Sequence, residues 1–400
     1  MRCRVCQGDT RSVIDLGRQA LAGAFVKPED AAAEQHHPLR LVLCLDCATL
    51  QVDTAIPAGT LFDNYFYRTS TSASLRRHFE QYAEDIVARF APQRVVEIGC
   101  NDGAMLKHLA RLAPVTIGVE PSGAGDDLQD SGATVLRGYF DAAMASRIGK
   151  ADVVVANNVF AHVEDIHGVT AAVRSMLNED GVFVFEVHYL GDMVKAGQYD
   201  AIYHEHVFYW SLLSVEKLLA QHGLQVFDVQ PQRTHGGSMR FFACPTGERR
   251  ALPQVMRLRD AELLQLLDWH ATFERLADEA AEHRRQLVGL LRRLRAAGHE
   301  IAAYGASGRA NTMLQWCGIG PELVSYVVDD CPGKQGHLTP GTHIPILPPT
   351  ALADNPPDWL LLTAWTFADE IKGRIPGYGG GFIKPFPRVE IVAPEARVAA

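Results

Sequence analysis

Two Cys-x-x-Cys pairs, Cys3 with Cys6 and Cys44 with Cys47, lie near the start of the chain. Each pair can present two thiolates from one tight turn, and four thiolates in tetrahedral arrangement are typical of structural zinc. Four buried free thiols are the alternative. Because a closed four-cysteine site leaves no open position for a substrate, we expect zinc here to support folding and to take no part in catalysis.

A glycine-bearing turn, Glu97-x-Gly99-x-x-x-Gly103, follows an apolar run and precedes a helix that we predict to start near Asp102. Glycine lets the backbone approach a ligand, and a helix N-terminus offers free N–H groups. Dinucleotide sites have the pattern G-x-G-x-x-G and hold a pyrophosphate. Here Asn101 replaces the middle glycine, and the carboxylates of Glu97 and Asp102 would repel phosphates. The turn therefore favours S-adenosylmethionine (SAM), which carries an ammonium group and a sulfonium cation.

Further polar residues follow the next strand-like runs. Glu120 ends the second run, where an acid can bind both hydroxyls of a ribose. Asn157 and Asn158 follow the third, at the edge where ligands collect in a doubly wound sheet. We expect these amides to contact the amino-acid part of the donor, with a polar loop cap as the alternative.

The segment Tyr203-His204-Glu205-His206 brings three kinds of ionisable group into one short loop and is the candidate acid–base centre. His188 ends a strand at the same predicted sheet edge, and His235 begins a glycine turn beside it. A metal at the His-x-His pair is disfavoured because no third ligand is near. The alternative for each histidine is a hydrogen-bonded core residue.

A second strand, turn and helix follow over 301–312, and this turn holds no acid. Arg309 stands at the helix start, which favours a phosphate-bearing ligand. A second donor site is the competing interpretation, and the opposite charge argues against it. The residues expected to bind this phosphorylated ligand are Tyr203, His206, His235, Gly305, Ser307, Arg309, Asn311, Thr312, Asp329 and Lys334.

Alternating elements must position these residues. Short apolar strands separated by helices predict a parallel sheet covered on both faces. The predicted elements are an amphipathic helix over 74–90, strands at 95–98, 115–119, 153–156 and 182–187, a closing edge strand at 238–243, a helical connector, and strands at 300–304, 324–329 and 359–363.

The chain is long enough for several domains, with 400 residues. We predict an α/β protein: a class I SAM methyltransferase domain with a Rossmann-like fold, flanked by a small N-terminal zinc-binding domain and a C-terminal Rossmann-like α/β domain. The predicted boundaries are 1–73 for the zinc-binding domain, 74–250 for the methyltransferase domain, 251–298 for the helical connector and 299–400 for the C-terminal α/β domain, which we expect to bind the phosphorylated ligand.

Composition excludes some classes of protein. The chain is 47% apolar and 21% charged, as in globular proteins, and its net charge of −9 opposes a duplex nucleic acid or anionic membrane as partner. A zinc-ribbon protein acting on nucleic acid is disfavoured for the same reason. Without a long apolar run or a signal-peptide core, we expect a cytoplasmic protein. The oligomeric state stays open, and a monomer is compatible.

Together these stretches resemble one family, the nucleotide-sugar C-methyltransferases that add a branching methyl to deoxysugars of antibiotics and surface glycans. The family often has Ser-Ser where Thr69-Ser70 stands and a lysine where Arg309 stands. The matching pieces, in the family's order, are the cysteine pairs, Tyr65-Phe66-Tyr67-Arg68-Thr69-Ser70, Glu97–Gly103, Tyr203–His206, His235-Gly236-Gly237-Ser238 and Tyr304–Gly308.

The resemblance implies a nucleotide-linked 4-keto-deoxysugar as substrate, with dTDP as the expected nucleotide and C3 favoured over C5 as the methylated carbon. It implies that Tyr67 and Ser70 close over the donor or the sugar. His206 is then the base that forms the enolate, Tyr203 and Glu205 orient it or the sugar, and His188 is a partner of the keto oxygen. An NAD-dependent nucleotide-sugar oxidoreductase is the alternative.

Overall fold

The computed structural model describes residues 1–63, 67–128 and 130–393. Tyr65 and Phe66 of the motif over 65–70 lie outside these residues. The strands are β1 (Thr10–Ala20), β2 (His36–Cys44), β3 (Leu50–Val52), β4 (Arg94–Ile98), β5 (Val115–Glu120), β6 (Thr134–Arg137), β7 (Ala151–Asn157), β8 (Leu177–His188), β9 (Phe208–Tyr209), β10 (Leu224–Gln232), β11 (Ser238–Pro245), β12 (Ile301–Tyr304), β13 (Val327–Val328), β14 (Ile346–Leu347), β15 (Trp359–Leu361), β16 (Gly381–Lys384) and β17 (Glu390–Val392). The α-helices are α1 (Ala58–Phe62), α2 (Ala73–Phe90), α3 (Leu106–Leu112), α4 (Ala142–Ile148), α5 (Ile166–Met176), α6 (Leu190–Lys195), α7 (Leu212–Ala220), α8 (Pro253–Leu264), α9 (His270–Ala296), α10 (Gly308–Cys317), α11 (Ala351–Asp354) and α12 (Ala368–Arg374).

The chain divides into two compact units. The first comprises Met1–Arg11, Val42–Asp192 and Glu205–His270. The second comprises Ser12–Leu41, Met193–His204 and the described residues from Ala271 onward. The four-part division along the chain stays a prediction. Among the described residues, no helix is both long and apolar enough to cross a membrane.

The first unit is built on a sheet whose described strands run in the order β10-β11-β8-β7-β4-β5-β6. Strands β8, β7, β4, β5 and β6 are parallel neighbours, while β11 pairs antiparallel with β8 and β10 with β11. The predicted parallel sheet is therefore confirmed. Strand order reverses between β4 and β7, and their carboxyl ends form the crevice where doubly wound sheets bind ligands.

Two predictions about the first unit, one on a strand and one on a helix, are wrong. Strand β11 is not at the edge but between β8 and β10, and all eight of its residues are buried, as a central position requires. Helix α3 begins at Leu106 rather than near Asp102. Asn101 and Gly103 have positive φ angles of 49° and 76°, so the chain cannot enter a right-handed helix until it has passed them.

A smaller antiparallel pair holds the loop after His206. Leu50 of β3 lies opposite Tyr209 of β9, and the N–H of Val52 donates to the carbonyl of Val207 at 3.0 Å. The segment after the second cysteine pair and the segment after the histidine loop therefore share one set of backbone hydrogen bonds.

The second unit has its own sheet of described strands, in the order β14-β13-β12-β15-β16-β17. All pairs are parallel except the last. Its core includes Tyr304, Val328 and Leu360, all buried. The reversal of strand order lies between β12 and β15, so the turn after Tyr304 occupies the same topological place as the turn after Ile98 in the first unit. This confirms the prediction of a second α/β unit.

Candidate active site and zinc centre

The four N-terminal cysteine sulfurs converge in the first unit. The Sγ atoms of Cys3 and Cys47 are 3.6 Å apart, those of Cys6 and Cys44 are 3.4 Å apart, and all four lie within 4.8 Å of one another. Tetrahedral zinc with bonds of about 2.3 Å places its sulfurs roughly 3.7 Å apart. The four thiolates therefore lie close enough together to bind one zinc ion.

Donors surround these sulfurs, as expected where thiolates carry charge. The backbone N–H of Val5 points to the Cys3 sulfur at 3.3 Å, and the amide of Gln51 donates to the same sulfur at 3.1 Å. The ring of His167 donates to the Val5 carbonyl at 2.9 Å, which ties the first cysteine turn to helix α5. The site therefore joins separate parts of the first unit.

At Gly99, the first glycine of the turn between β4 and α3, there is no room for a side chain. A Cβ on Gly99, where φ is 69°, would lie 2.3 Å from the Cγ2 of Val159. The N–H of Gly99 donates to the carbonyl of Val119 at 2.8 Å. The turn is thus packed directly on β5 and on the loop after β7, at the crevice.

Three acceptor oxygens at this crevice are buried without a hydrogen-bond partner among the described residues: Oε2 of Glu97, Oδ1 of Asp102 and Oδ1 of Asn157. Burial raises the pKa of Glu97 well above its usual value, and the nearby carboxylates of Glu120 and Asp102 add to this rise. A cluster of acids whose ionised forms repel one another fits a ligand that brings N–H donors and positive charge. These residues therefore fit SAM and disfavour a pyrophosphate.

Glu120, at the end of β5, holds the glycine turn. Its Oε2 accepts from the N–H of Asn101 at 2.8 Å, and its Oε1 accepts from the N–H of Ser122 at 2.9 Å. The side chain is 6% exposed and borders a cavity of about 390 Å³ that Leu128 and Arg137 also line. Ribose hydroxyls would be further donors to this carboxylate, whose two oxygens offer about four acceptor positions in all.

Tyr67 and Ser70 lie against the glycine turn. The carbonyl of Tyr67 accepts from the side-chain amide of Asn101 at 3.2 Å. The hydroxyl and N–H of Ser70 donate to Oδ2 of Asp102 at 2.6 and 3.1 Å. The segment before α2 is therefore positioned by the same residues that we expect to hold the donor.

His206 stands next to a histidine that sequence reasoning missed. The ring of His162 meets the ring of His206 edge to face, with centroids 5.0 Å apart. Nδ1 of His162 is buried and lacks a hydrogen-bond partner among the described residues, and burial lowers the pKa of His162 to about 4. His162 follows Asn157 by five residues, so its place after a parallel strand was the signal that could have identified it.

The first unit also holds the acid–base candidates His188, His235 and Glu205. His188 is the last residue of β8 and pairs with Ser238 of β11. His235 has a positive φ of 54° in the turn between β10 and β11, and Glu205 is buried. His188 and His235 therefore border the same end of the sheet.

In the second unit, the carboxylate of Asp329 accepts a backbone hydrogen bond from the turn before α10, as Glu120 does from the glycine turn of the first unit. Its Oδ2 accepts from the N–H of Ala306 at 2.7 Å and from the ammonium of Lys334 at 3.2 Å. Gly305 has φ 104°, and a Cβ there would lie 2.4 Å from Cβ of Ala364. Asp329 and Lys334 therefore hold the turn that precedes α10, and the hydroxyl of Ser307 caps that helix by accepting from the N–H of Ala310 at 3.2 Å.

Arg309 is already engaged by a buried carboxylate. Its Nε and Nη2 donate to the two oxygens of Asp200 at 2.9 and 2.8 Å, and the indole N–H of Trp365 donates to the same carboxylate at 2.8 Å. The ring of Tyr203 packs 3.5 Å from the position a Cβ on Gly308 would take. The segment that leads to the histidine loop is thus fastened to the start of α10.

Asn311 and Thr312 face inward. Both are fully buried. The amide of Asn311 donates to the carbonyl of Ala22 at 2.7 Å, and the hydroxyl of Thr312 donates to the carbonyl of Gly308 at 3.2 Å. These contacts give the two side chains packing roles in α10.

The strand order of the first unit and its acceptor-rich turn define a class I SAM-dependent methyltransferase. Residues 75–229 match the methyltransferase domain family, residues 233–387 match the C-methyltransferase C-terminal domain, and residues 3–62 match a zinc binding domain. The chain is 34% identical to C-methyltransferase NovU of Streptomyces niveus over 408 aligned positions, which cover 98% of this chain and 97% of that protein. The chain therefore belongs to the C-methyltransferase family.

Solved structures with a partial likeness include a SAM-dependent methyltransferase from Clostridium acetobutylicum, with 12% identity, a TM-score of 0.36, and coverage of 43% of this chain and 92% of that chain. Another is a magnesium protoporphyrin IX methyltransferase from Synechocystis with bound S-adenosylhomocysteine (SAH), with 16% identity, a TM-score of 0.34, and coverage of 43% and 83%. Membership in the C-methyltransferase family sets aside the oxidoreductase and the nucleic-acid alternatives, and the predicted SAM and zinc cofactors are confirmed.

Proposed function

We propose that this enzyme methylates a nucleotide-linked 4-keto-deoxysugar, with dTDP as the nucleotide, at the carbon next to the ketone, C3 rather than C5. Carbon becomes nucleophilic only after it loses a proton, and a neighbouring ketone makes that proton removable as an enolate. A C-methyltransferase therefore needs a base beside its donor site. The single observation that carries the proposal is the contact between His206 and the buried, uncharged His162 in the unit that holds the donor turn.

His206 is the proposed base. A neutral imidazole beside it adds no positive charge that would lower its basicity, and it excludes water from one side of the ring. His188 is the proposed partner of the keto oxygen, because a donor there would stabilise the developing oxyanion. Tyr203 and Glu205, on either side of His204, are proposed to orient the base or the sugar.

Glu97, Asp102, Asn157 and Asn158 are proposed to hold the amino-acid part of SAM, and Glu120 its ribose. When bound, SAM supplies an electrophilic methyl group. Tyr67 and Ser70 are proposed to cover the donor, because their segment already bonds to Asn101 and Asp102. In the second unit, Gly305, Ser307 and Arg309 at the N-terminus of α10 are proposed to hold the diphosphate.

The test uses a panel of nucleotide 4-keto-deoxysugars with SAM and the purified protein, with products analysed by mass spectrometry and NMR. We expect one methyl group on C3 of a dTDP sugar. In D2O, with SAH in place of SAM, wild type should exchange the C3 proton for deuterium, and His206→Asn should lose at least about 100-fold of this exchange because a general base is removed. Exchange by His206→Asn at the wild-type rate, or methylation at oxygen, would overturn the proposal.

A further inference from the structure

A buried carboxylate on helix α8 joins the two segments that carry His188 and His206. Glu262 has no solvent exposure. Its Oε1 accepts hydrogen bonds from the phenol of Tyr189 at 2.9 Å and from the N–H of Leu212 at 2.7 Å. Its Oε2 accepts from the N–H of Leu213 at 2.9 Å. One side chain therefore satisfies donors from two separate parts of the first unit.

Each of these donors lies a few residues from a candidate catalytic histidine. Tyr189 directly follows His188, and its N–H donates to the carbonyl of Gly237 at 3.1 Å. Leu212 begins α7, six residues after His206. The N–H of Leu190 also donates to the carbonyl of Trp210 at 3.0 Å, so the two segments are neighbours before Glu262 joins them. Glu262 lies 50 residues further along the chain than Leu212 and 73 residues further than Tyr189.

The hydrogen bonds of Glu262 favour the ionised form of its carboxyl group. Three donors point at it, and two of them are N–H groups at the N-terminus of α7, where negative charge is favoured. Burial raises the pKa of Glu262 to about 7, and the three hydrogen bonds oppose that rise. A glutamine would offer a single acceptor oxygen and would turn its amide N–H2 group toward a backbone donor. A buried charge is costly unless its donors are all in place, so the arrangement holds them in one geometry.

We propose that Glu262 is a positioning residue for methyl transfer, which fixes the segments of His188 and His206 relative to each other through Tyr189 and the start of α7. This inference rests on the proposed function, because it takes the two histidines as the groups that act on the substrate. Displacement of a catalytic group by about 1 Å can lower a rate by about 100-fold. The role requires no contact between Glu262 and any ligand.

The test compares Glu262→Gln and Tyr189→Phe with Glu216→Gln, which neutralises a neighbouring carboxylate of α7 that pairs with Arg259 instead. We expect Glu262→Gln to lower kcat by about 30-fold or more and Tyr189→Phe to lower it less, with KM for the sugar and Kd for SAH within about 3-fold of wild type. Glu216→Gln should match wild type. If Glu262→Gln does not fold, Tyr189→Phe, which removes only one hydroxyl, tests the positioning role in its place.

Unchanged kcat in both variants, or parallel losses of kcat and SAH binding, would overturn the inference. His206→Asn is measured in the same assay. If His206→Asn is inactive while Glu262→Gln and Tyr189→Phe are fully active, only the positioning role fails. If His206→Asn is itself active, the proposed function fails first.

Discussion

The imidazole rings of His162 and His206 meet at an interplanar angle of 88°, with centroids 5.0 Å apart. The two residues lie 44 positions apart in the chain, one in the loop after β7 and the other in the loop before β9. Burial lowers the pKa of His162 to about 4, so it is neutral near pH 7. The proposed base therefore has an uncharged neighbour.

His162 should make stability fall in mild acid. Its pKa is about 4 in the folded state and about 6.5 when unfolded, so its contribution is complete above pH 6.5 and is lost as pH falls toward 4. Between pH 7 and pH 4.5 this amounts to at most roughly 2 to 3 kcal/mol. Urea unfolding at both pH values should show a smaller loss for His162→Asn than for wild type. His299→Asn, which replaces a half-exposed side chain, should keep the wild-type loss.

Gly99→Ala should abolish SAH binding, measured by calorimetry. Its new Cβ would lie 2.3 Å from Val159, so the turn must move. Gly223→Ala is a matched control, because Gly223 has nearly the same φ, 65° against 69°, with no atom within 4 Å of the new Cβ. Both variants should be destabilised by about 1 to 2 kcal/mol through left-handed strain. Equal SAH affinity in the two variants would contradict the assigned donor site.

Donor binding should release protons through Glu97. Burial holds its pKa well above the usual value, and a bound cation favours the ionised form. Affinity for SAM should therefore rise with pH, and calorimetry in buffers of different ionisation enthalpy should detect proton release. Glu97→Gln should show weaker binding and a smaller release, whereas the exposed Glu179→Gln should match wild type. Identical proton release by Glu97→Gln and wild type would refute this assignment.

The cysteine cluster should bind one zinc ion per chain, measured by elemental analysis. Cys47→Ser, or a strong chelator, should remove the metal and lower the unfolding temperature, because structural zinc binding contributes directly to folding. Cys331→Ser is the matched control, since Cys331 lies far along the chain and outside the cluster. Full zinc content in Cys47→Ser would show that this cysteine is not a ligand.

Asp200→Asn should destabilise the second unit. Asp200 is 1% exposed, and its carboxylate balances the guanidinium of Arg309. Removal of one partner leaves a buried charge unpaired, which costs about 3 to 5 kcal/mol. The double variant Asp200→Asn with Arg309→Gln should recover part of this loss in urea unfolding. Additive losses would mean that the two side chains do not interact.

The zinc ligands and the donor turn were predictable because each is a local pattern. Spacing in Cys3-x-x-Cys6 and Cys44-x-x-Cys47 already implies thiolates on tight turns, and a glycine turn after an apolar strand lies at a sheet edge in any doubly wound fold. The acids at Glu97 and Asp102 then favour a cationic ligand by charge alone. For the same reason the alternation of strands and helices predicted the class of fold.

Tertiary structure decided what depends on contacts between distant residues. No short-range pattern in the sequence indicates three of these contacts. They are the ring contact of His162 with His206, the ion pair of Arg309 with Asp200, and the link from Tyr189 to α7 through Glu262. The start of α3 depended on the positive φ of Asn101, which long-range packing on β5 and a hydrogen bond to Glu120 stabilise. Local spacing thus determines which groups are available, while packing determines which of them meet.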